Sequence, residues 1–300
     1  MDVRLSPRWC ERSWPLTLQE RRRAPALLRE VPSGRVRRTL AHKDTPMQQA
    51  LMRKLESFEP LSDQARWALN RLVLKVRYVG ARQDLIQEGD KPENVLLILD
   101  GFAYRYKVLP DGQRQIMALL VPGDFCDLNV FILDEMDHAI GTISACQVVD
   151  IPRQAIDEIA RDHADIARAF WWCSLVDGAV LREWLVNIGG RLPPQRIAHL
   201  ICELLMRLEA VGCVTDNGYA FPLTQTQIAD MMGLSDVHVN RTLRDLRAQG
   251  LIHLKRRVLT ILDVERLRAF CDFTPNYLHL RSTRWDDRRD LSWPGQAEES

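Results

Sequence analysis

The stretch LTQTQIADMMGLSDVHVNRTLRDLRAQGLI, Leu223 to Ile252, limits what this chain can fold into more than any other segment. Thr224 and Gln227 have the spacing of a capping box, in which each side chain satisfies a backbone N–H at a helix start. Ile228 and Met231 supply the apolar side of the helix that follows. Gly233 allows a tight turn, because a residue without Cβ takes positive φ at little cost. Ser235 can cap a second helix, in which Val239, Leu243 and Leu246 fall at i, i+4 and i+7 and form one buried face. The remaining face carries Asp236, Val237, His238, Asn240, Arg241 and Arg244. Gly250 stops that helix, and LIHLKRRVLTIL then reads as a small hairpin with a basic tip, Lys255 to Arg257.

This is the pattern of a winged helix-turn-helix. An outward helix of this kind fits the major groove of double-stranded DNA, where Arg can clasp guanine and Asn adenine, while cations of the wing neutralise phosphates. The residues expected at the DNA are Thr224, Gln225, Ser235, Asp236, Val237, His238, Asn240, Arg241, Arg244, Lys255 and Arg256. The competing reading is a helical hairpin used only for packing, in a ligand-binding or scaffold protein that does not bind DNA.

The chain has 300 residues, room for two ordinary domains, with 46% apolar and 27% charged residues. A net charge of +1 means that any basic surface must be local. No segment approaches a run of about 18 apolar residues, and no apolar signal core opens the chain, so no membrane partner is expected. The seven cysteines are scattered and never closely paired, which fits reduced thiols in a cytoplasm. Residues 1–46 are crowded with arginine and proline. They read as a flexible basic extension, as an arm touching DNA phosphates, or as a segment upstream of a true start at Met47.

Helical patterns begin at MQQALMRKLESF and LSDQARWALNRLV, the second with Ser62 as cap and Ala65, Leu69 and Leu72 on one face. Residues 76–152 change to short apolar runs (Val95–Leu99, Phe102–Val108 and Gln113–Leu120) separated by turn signals such as Pro110–Gly112. Such spacing suggests a β-sandwich or jelly roll. A long helix, Ile156 to Ile188, is expected next. Its residues Ile166, Phe170, Cys173, Val180 and Trp184 recur at steps of four and three, with Asp177 interrupting, close to a coiled-coil seam; they are expected to pair two copies as a homodimer, the alternative being a helix packed on its own β-domain. NIGGRLPP reads as a hinge, and a further helix spans Gln195 to Ala210. The expected fold is thus α+β: an N-terminal jelly-roll sensor domain with flanking helices (47–155), a dimerisation helix (156–190), a winged helix-turn-helix (191–270) and a tail (271–300).

This order of parts resembles the cAMP receptor protein / fumarate–nitrate regulator (Crp/Fnr) superfamily of bacterial transcription regulators. The resemblance covers roughly residues 50–270 and rests most on GLSDVHVNRTLRDLRAQGLI and on QEGDKPENVLLILDGFAYRY…LVPGDF. It implies a homodimer on a two-fold symmetric DNA site, an effector in the β-roll and, for an activator, contact with RNA polymerase. It also implies that Asp236, Val237, Asn240 and Arg241 face base edges or phosphates, with Arg241 at a base-contacting position. Val237 departs from the family, where many relatives have a glutamate that accepts from cytosine; a thymine methyl suits valine instead.

The effector is left open by the residues. A cyclic phosphate needs cations or clustered donors. The family's Gly-Glu-Leu and Arg-Ser elements are replaced here by GDFCDLNVFILDEMDHAIGTISA, and from Gln115 through Pro152 there is no Lys or Arg but six acids, Asp124, Asp127, Asp134, Glu135, Asp137 and Asp150. That argues against cAMP, although Arg182 on the long helix could reach the pocket. An iron–sulfur cluster is poorly supported, since Cys10 is the only cysteine near the N-terminus. Haem on His138 or Cys126 stays open beside the plainer readings, a hydrogen-bonded His and buried thiols. An enzyme of the cupin kind is not expected, because the β segment has only His138 and no His-x-His pair for a metal cage.

Overall fold

The computed structural model describes residues 46–72, 75–128, 132 and 135–281; the basic extension and most of the expected tail lie outside the described residues. Helices α1 (Pro46–Glu56) and α2 (Asp63–Leu72) precede seven strands: β1 (Val76–Val79), β2 (Asp84–Ile86), β3 (Asn94–Asp100), β4 (Ala103–Val108), β5 (Arg114–Leu120), β6 (Ala139–Thr142) and β7 (Cys146–Pro152). They form two antiparallel sheets, ordered β1-β7-β3 and β2-β6-β4-β5. Strand β3 explains its unbroken apolar run. Leu96 and Ile98 enter the cluster between the sheets with Ile140 and Val148, whereas Val95, Leu97 and Leu99 join a second cluster with the helices. Alternation at period two thus buries both faces of one strand. The Pro110–Gly112 turn closes the β4–β5 hairpin, with Gly112 at φ 83°.

The expected single helix from Ile156 is two helices, α3 (Arg153–Asp162) and α4 (Ala164–Gly190), separated by His163 in an extended conformation. The apolar periodicity runs on across the break, so the pattern alone does not reveal it. A tertiary contact holds the second start in place: Asp165 accepts hydrogen bonds from the Ser62 N–H (3.0 Å) and Oγ (2.9 Å). Arg191 is extended and ends α4, and α5 (Pro193–Ala210) begins on two prolines, which suit a helix start because their missing N–H groups would have no intrahelical partner.

The C-terminal part comprises β8 (Gly218–Ala220), α6 (Gln225–Met232), α7 (Asp236–Ala248), β9 (Ile252–Lys255), β10 (Val258–Ile261) and α8 (Val264–Phe270). Residues 271–281 correct the expectation of a tail that starts at 271. Cys271, Phe273, Tyr277 and Leu278 are buried, and a 3-10 turn, Pro275–Leu278, lies against α4 and α5. The signal for this was weak, a few aromatic residues without helical or strand period.

Two polar links join the β-roll to the C-terminal part. On the surface, Arg114 of β5 grips Asp230 of α6 (Nε 2.9 Å, Nη2 2.7 Å) and donates to the Tyr104 hydroxyl (3.0 Å). In the interior, Arg207 of α5 donates to Asp124 (2.8 Å), to the Leu119 carbonyl (2.8 Å) and to Glu203 (3.1 Å). Asp124 also pairs with Lys54, and Glu203 accepts from Trp184 Nε1 (3.0 Å) and the Tyr277 hydroxyl (2.9 Å). Burial alone would raise the Asp124 carboxyl, but Lys54 and Arg207 outweigh it and hold it below its ordinary value. Burial of Glu203 does prevail and raises its carboxyl, even beside Arg207. Arg207 therefore stands between one firmly ionised acid and one strained toward neutrality.

Removing one member of such a group leaves buried charge without a partner, which costs about 3–5 kcal/mol. Arg207→Met should lower unfolding stability by an amount in that range, measured by urea titration, whereas Arg66→Met at an exposed ion pair should change it by less than about 1 kcal/mol.

Candidate functional site

Helices α6 and α7 are set by local chemistry before any long-range packing. The Thr224 Oγ1 accepts from the Gln227 N–H (3.1 Å), and the Gln227 side chain accepts from the Thr224 N–H (2.9 Å). Gly233 sits at φ 62° and ends α6. Ser235 caps α7, accepting from the His238 N–H, and its hydroxyl lies 2.9 Å from His238 Nδ1. Val239, Thr242, Leu243 and Leu246 hold α7 to the domain. That leaves Asp236, Val237, His238, Asn240, Arg241 and Arg244 exposed on one side, beside exposed Thr224, Gln225 and Ser235 at the neighbouring helix ends. Arg241 and Arg244 meet Asp245 only at 3.8 and 4.0 Å, so loose ion pairs leave these guanidinium groups accessible to a ligand.

The wing is a three-stranded sheet in the order β8-β10-β9. Lys255 pairs with Val258, so Arg256 and Arg257 alone form the loop, both at positive φ (51° and 61°). Asn-Gly is the usual solution for such a turn, and two arginines there carry backbone strain. Exposed Lys255, Arg256 and Arg257 thus concentrate three cations on one projecting tip. Arg257 joins the expected set on this geometry.

The expected dimer seam is corrected. Ile166, Phe170, Cys173, Val180 and Trp184 face their own protomer: Ile166 is 0% and Trp184 2% exposed, and Phe170 packs edge-on against Phe125. Helix α4 has a second strip at steps of four and three, Trp171, Leu175, Gly178, Arg182 and Leu185, apolar except for Arg182. Here Trp171 is 69% and Leu185 73% exposed, with exposed Leu181, Val186 and Leu192 alongside. The two strips start five residues apart, roughly 140° around a helix of 100° per residue.

A cavity of about 330 Å³ lies between α4 and the β-roll. Its walls include the apolar Met117, Phe125, Leu128 and Leu181, and the acids Asp127, Asp137 and Asp177. The sequence reading found no cation in the cassette from Gln115 through Pro152; the fold brings two from elsewhere, Lys54 on α1 and Arg105 on β4. Both are engaged. Arg105 donates to Asp177 (2.9 Å) and to the Cys126 carbonyl (2.7 Å), and Lys54 pairs with Asp124. Despite burial, Asp177 keeps Arg105 firmly charged. Among the described residues, the lining presents no cation that lacks an acidic partner. Arg182 is exposed on the outer strip and is not part of the lining; Leu181 is. Cys126 packs inside the sandwich with Ile98, Ile140 and Cys146, and burial pushes its thiol well above the ordinary range. His138 does line the cavity, with Nδ1 2.6 Å from Asp137.

Comparison with known proteins agrees with both halves of this arrangement. Residues 195–270 match the family described as Crp-like helix-turn-helix domain, and residues 76–163 match the Cyclic nucleotide-binding domain family, together more than half of the chain. The chain is 27% identical over 188 residues to the nitrogen fixation regulation protein FixK of Bradyrhizobium diazoefficiens, covering 62% of this chain and 78% of that one. It is 26% identical over 193 residues to the transcriptional activator protein FnrL of Cereibacter sphaeroides, covering 62% and 76%. The solved structure of FixK2 from Bradyrhizobium japonicum shares the fold, with a TM-score of 0.58 and 23% identity over 66% of this chain and 97% of that one. With a β-roll, a long helix and a winged helix-turn-helix in the same order, this chain belongs to the Crp/Fnr superfamily of transcription regulators.

Proposed function

We propose that the chain acts as a homodimer that reads a two-fold symmetric DNA site through α7, under control of a ligand or signal received at the β-roll cavity. The observation that carries this reading is the exposed face of α7. Val237, Asn240, Arg241 and Arg244 stand clear of the domain while Val239, Leu243 and Leu246 anchor the other side. Arg241 is assigned to a base edge, Val237 to a thymine methyl, and Lys255, Arg256 and Arg257 to phosphates. The Trp171–Leu185 strip is assigned to the second copy, because exposed Trp171, Leu175 and Leu185 at heptad spacing, with Leu181 and Val186 beside them, suit a parallel partner of the same kind even though Arg182 interrupts the strip. Among the described residues no helix is long and apolar enough to cross a membrane, and the reading places the protein in the cytoplasm, with RNA polymerase as a partner if it activates.

The cavity's lining supports an effector other than a cyclic nucleotide. A neutral or cationic small molecule meets apolar walls and carboxylates there, whereas a phosphodiester has to displace Asp177 from Arg105 or Asp124 from Lys54.

Three measurements test this reading. Arg241→Ala should weaken specific duplex binding by roughly 1–3 kcal/mol while leaving the dimer intact; unchanged specific binding would remove α7 from the groove. Leu175→Asp or Leu185→Asp should give a folded monomer by sedimentation, with an unchanged far-UV spectrum; a dimer that persists in both variants overturns the outer-strip assignment. Millimolar cAMP should leave the melting temperature unchanged, and a clear rise would mean that the cavity accepts a cyclic phosphate after all.

A further inference from the structure

The first turn of α6 touches the reading helix at two points. Thr226 Oγ1 donates to Asp236 Oδ2 (3.0 Å), and Asn240 Nδ2 donates to Gln225 Oε1 (3.2 Å). Gln225 is the first residue of α6, directly after the Thr224 cap, so the capping box fixes the backbone from which its side chain extends. The Thr226–Asp236 bond ties the same turn to the start of α7, which keeps the two helix ends in register.

The Asn240 amide has two N–H donors and one carbonyl acceptor. The bond to Gln225 uses one N–H. What remains for a ligand is one donor and one acceptor side by side. Adenine offers the complement in the major groove, N7 as acceptor and the N6 amine as donor. Guanine offers two acceptors, N7 and O6, and fits this remaining pair poorly. The opposite arrangement, with a Gln225 N–H donating to the Asn240 carbonyl, would leave both Asn240 N–H groups outward and favour guanine. The orientation of one side chain on α6 therefore sets what an amide on α7 can read. In water an exposed bond of this length is weak, but it strengthens once the groove excludes solvent.

We propose that Gln225 is a positioning residue for base readout, its side-chain carbonyl holding the Asn240 amide in the orientation that takes adenine. The proposal rests on α7 being the base-reading helix, as assigned above. It adds a specificity determinant on α6, outside the reading helix itself.

The test uses the full-length protein and a randomised double-stranded DNA library, with sites selected by wild type, Gln225→Ala, Gln225→Glu and Asn240→Ala. Affinities are then measured for the selected duplex and its single-base variants. Wild type should prefer adenine at one position of each half-site by roughly tenfold. Asn240→Ala should erase the preference at that position only. Gln225→Ala should reduce it several-fold at the same position and leave the Arg241-dependent position untouched. Gln225→Glu, which keeps an acceptor facing Asn240, should retain adenine while its charge lowers affinity for all sequences alike. The proposal is overturned if Gln225→Ala keeps full adenine discrimination, if it weakens every sequence equally as a phosphate contact would, or if wild type selects guanine at the Asn240-dependent position. Failure of the underlying reading looks different: wild type would then select no sequence, or Arg241→Ala would alter none of the selected positions. Both side chains of the Gln225–Asn240 pair are exposed, so unchanged melting temperatures should accompany all of these variants.

Discussion

Arg207 is the point on which the two halves of this protein turn. Its guanidinium reaches from α5 to Asp124 and the Leu119 carbonyl in the β-roll, and back to Glu203 on its own helix. Lys54 completes Asp124 from α1, while Trp184 and Tyr277 complete Glu203 from α4 and the 3-10 turn. A buried ionic group of this kind does not outdo an apolar core of equal volume in stability, but it tolerates few arrangements, because each displaced member leaves a charge in a poor dielectric. Its consequence here is positional. It fixes where α5 lies against the β-roll, and α5 is the helix on which the reading domain is built.

Strand β5 connects that anchor to the rest. At its start Arg114 holds Asp230 of α6; near its end the Leu119 carbonyl takes Arg207; between them Met117 and Ala118 form part of the cavity wall. One strand of seven residues thus touches the cavity, α5 and α6. The cavity wall and both polar links to the C-terminal part therefore share this strand.

Helix α4 illustrates where periodicity stops being informative. Its two apolar strips, Ile166–Trp184 and Trp171–Leu185, have the same heptad spacing, so the sequence announces an amphipathic or two-sided helix without saying which side is inward. The choice is made by what packs against it: Phe125 of the β-roll against Phe170, and the buried acid Glu203 of α5 against Trp184. The cavity's cations were hidden for a related reason. Lys54 lies well upstream of the cassette and Arg105 on the strand just before it, and a search along the cassette's own window of sequence does not see a residue delivered by another element. The break at His163 likewise depends on a contact with Ser62, about a hundred residues away.

What the sequence by itself determined is everything governed by short-range rules. The capping box at Thr224 and Gln227, the glycine turn at Gly233, the buried period of α7 and the β5 hairpin follow from interactions within a few residues, and those suffice to reveal the architecture and the outward face of α7. What only the tertiary structure decided is which of two equivalent strips faces in, where Lys54 and Arg105 end up, and how Gln225 meets Asn240. The first two depend on segments distant in the chain arriving at one place, and the third on how α7 packs against α6 across the Gly233 turn; only the packed fold supplies these contacts.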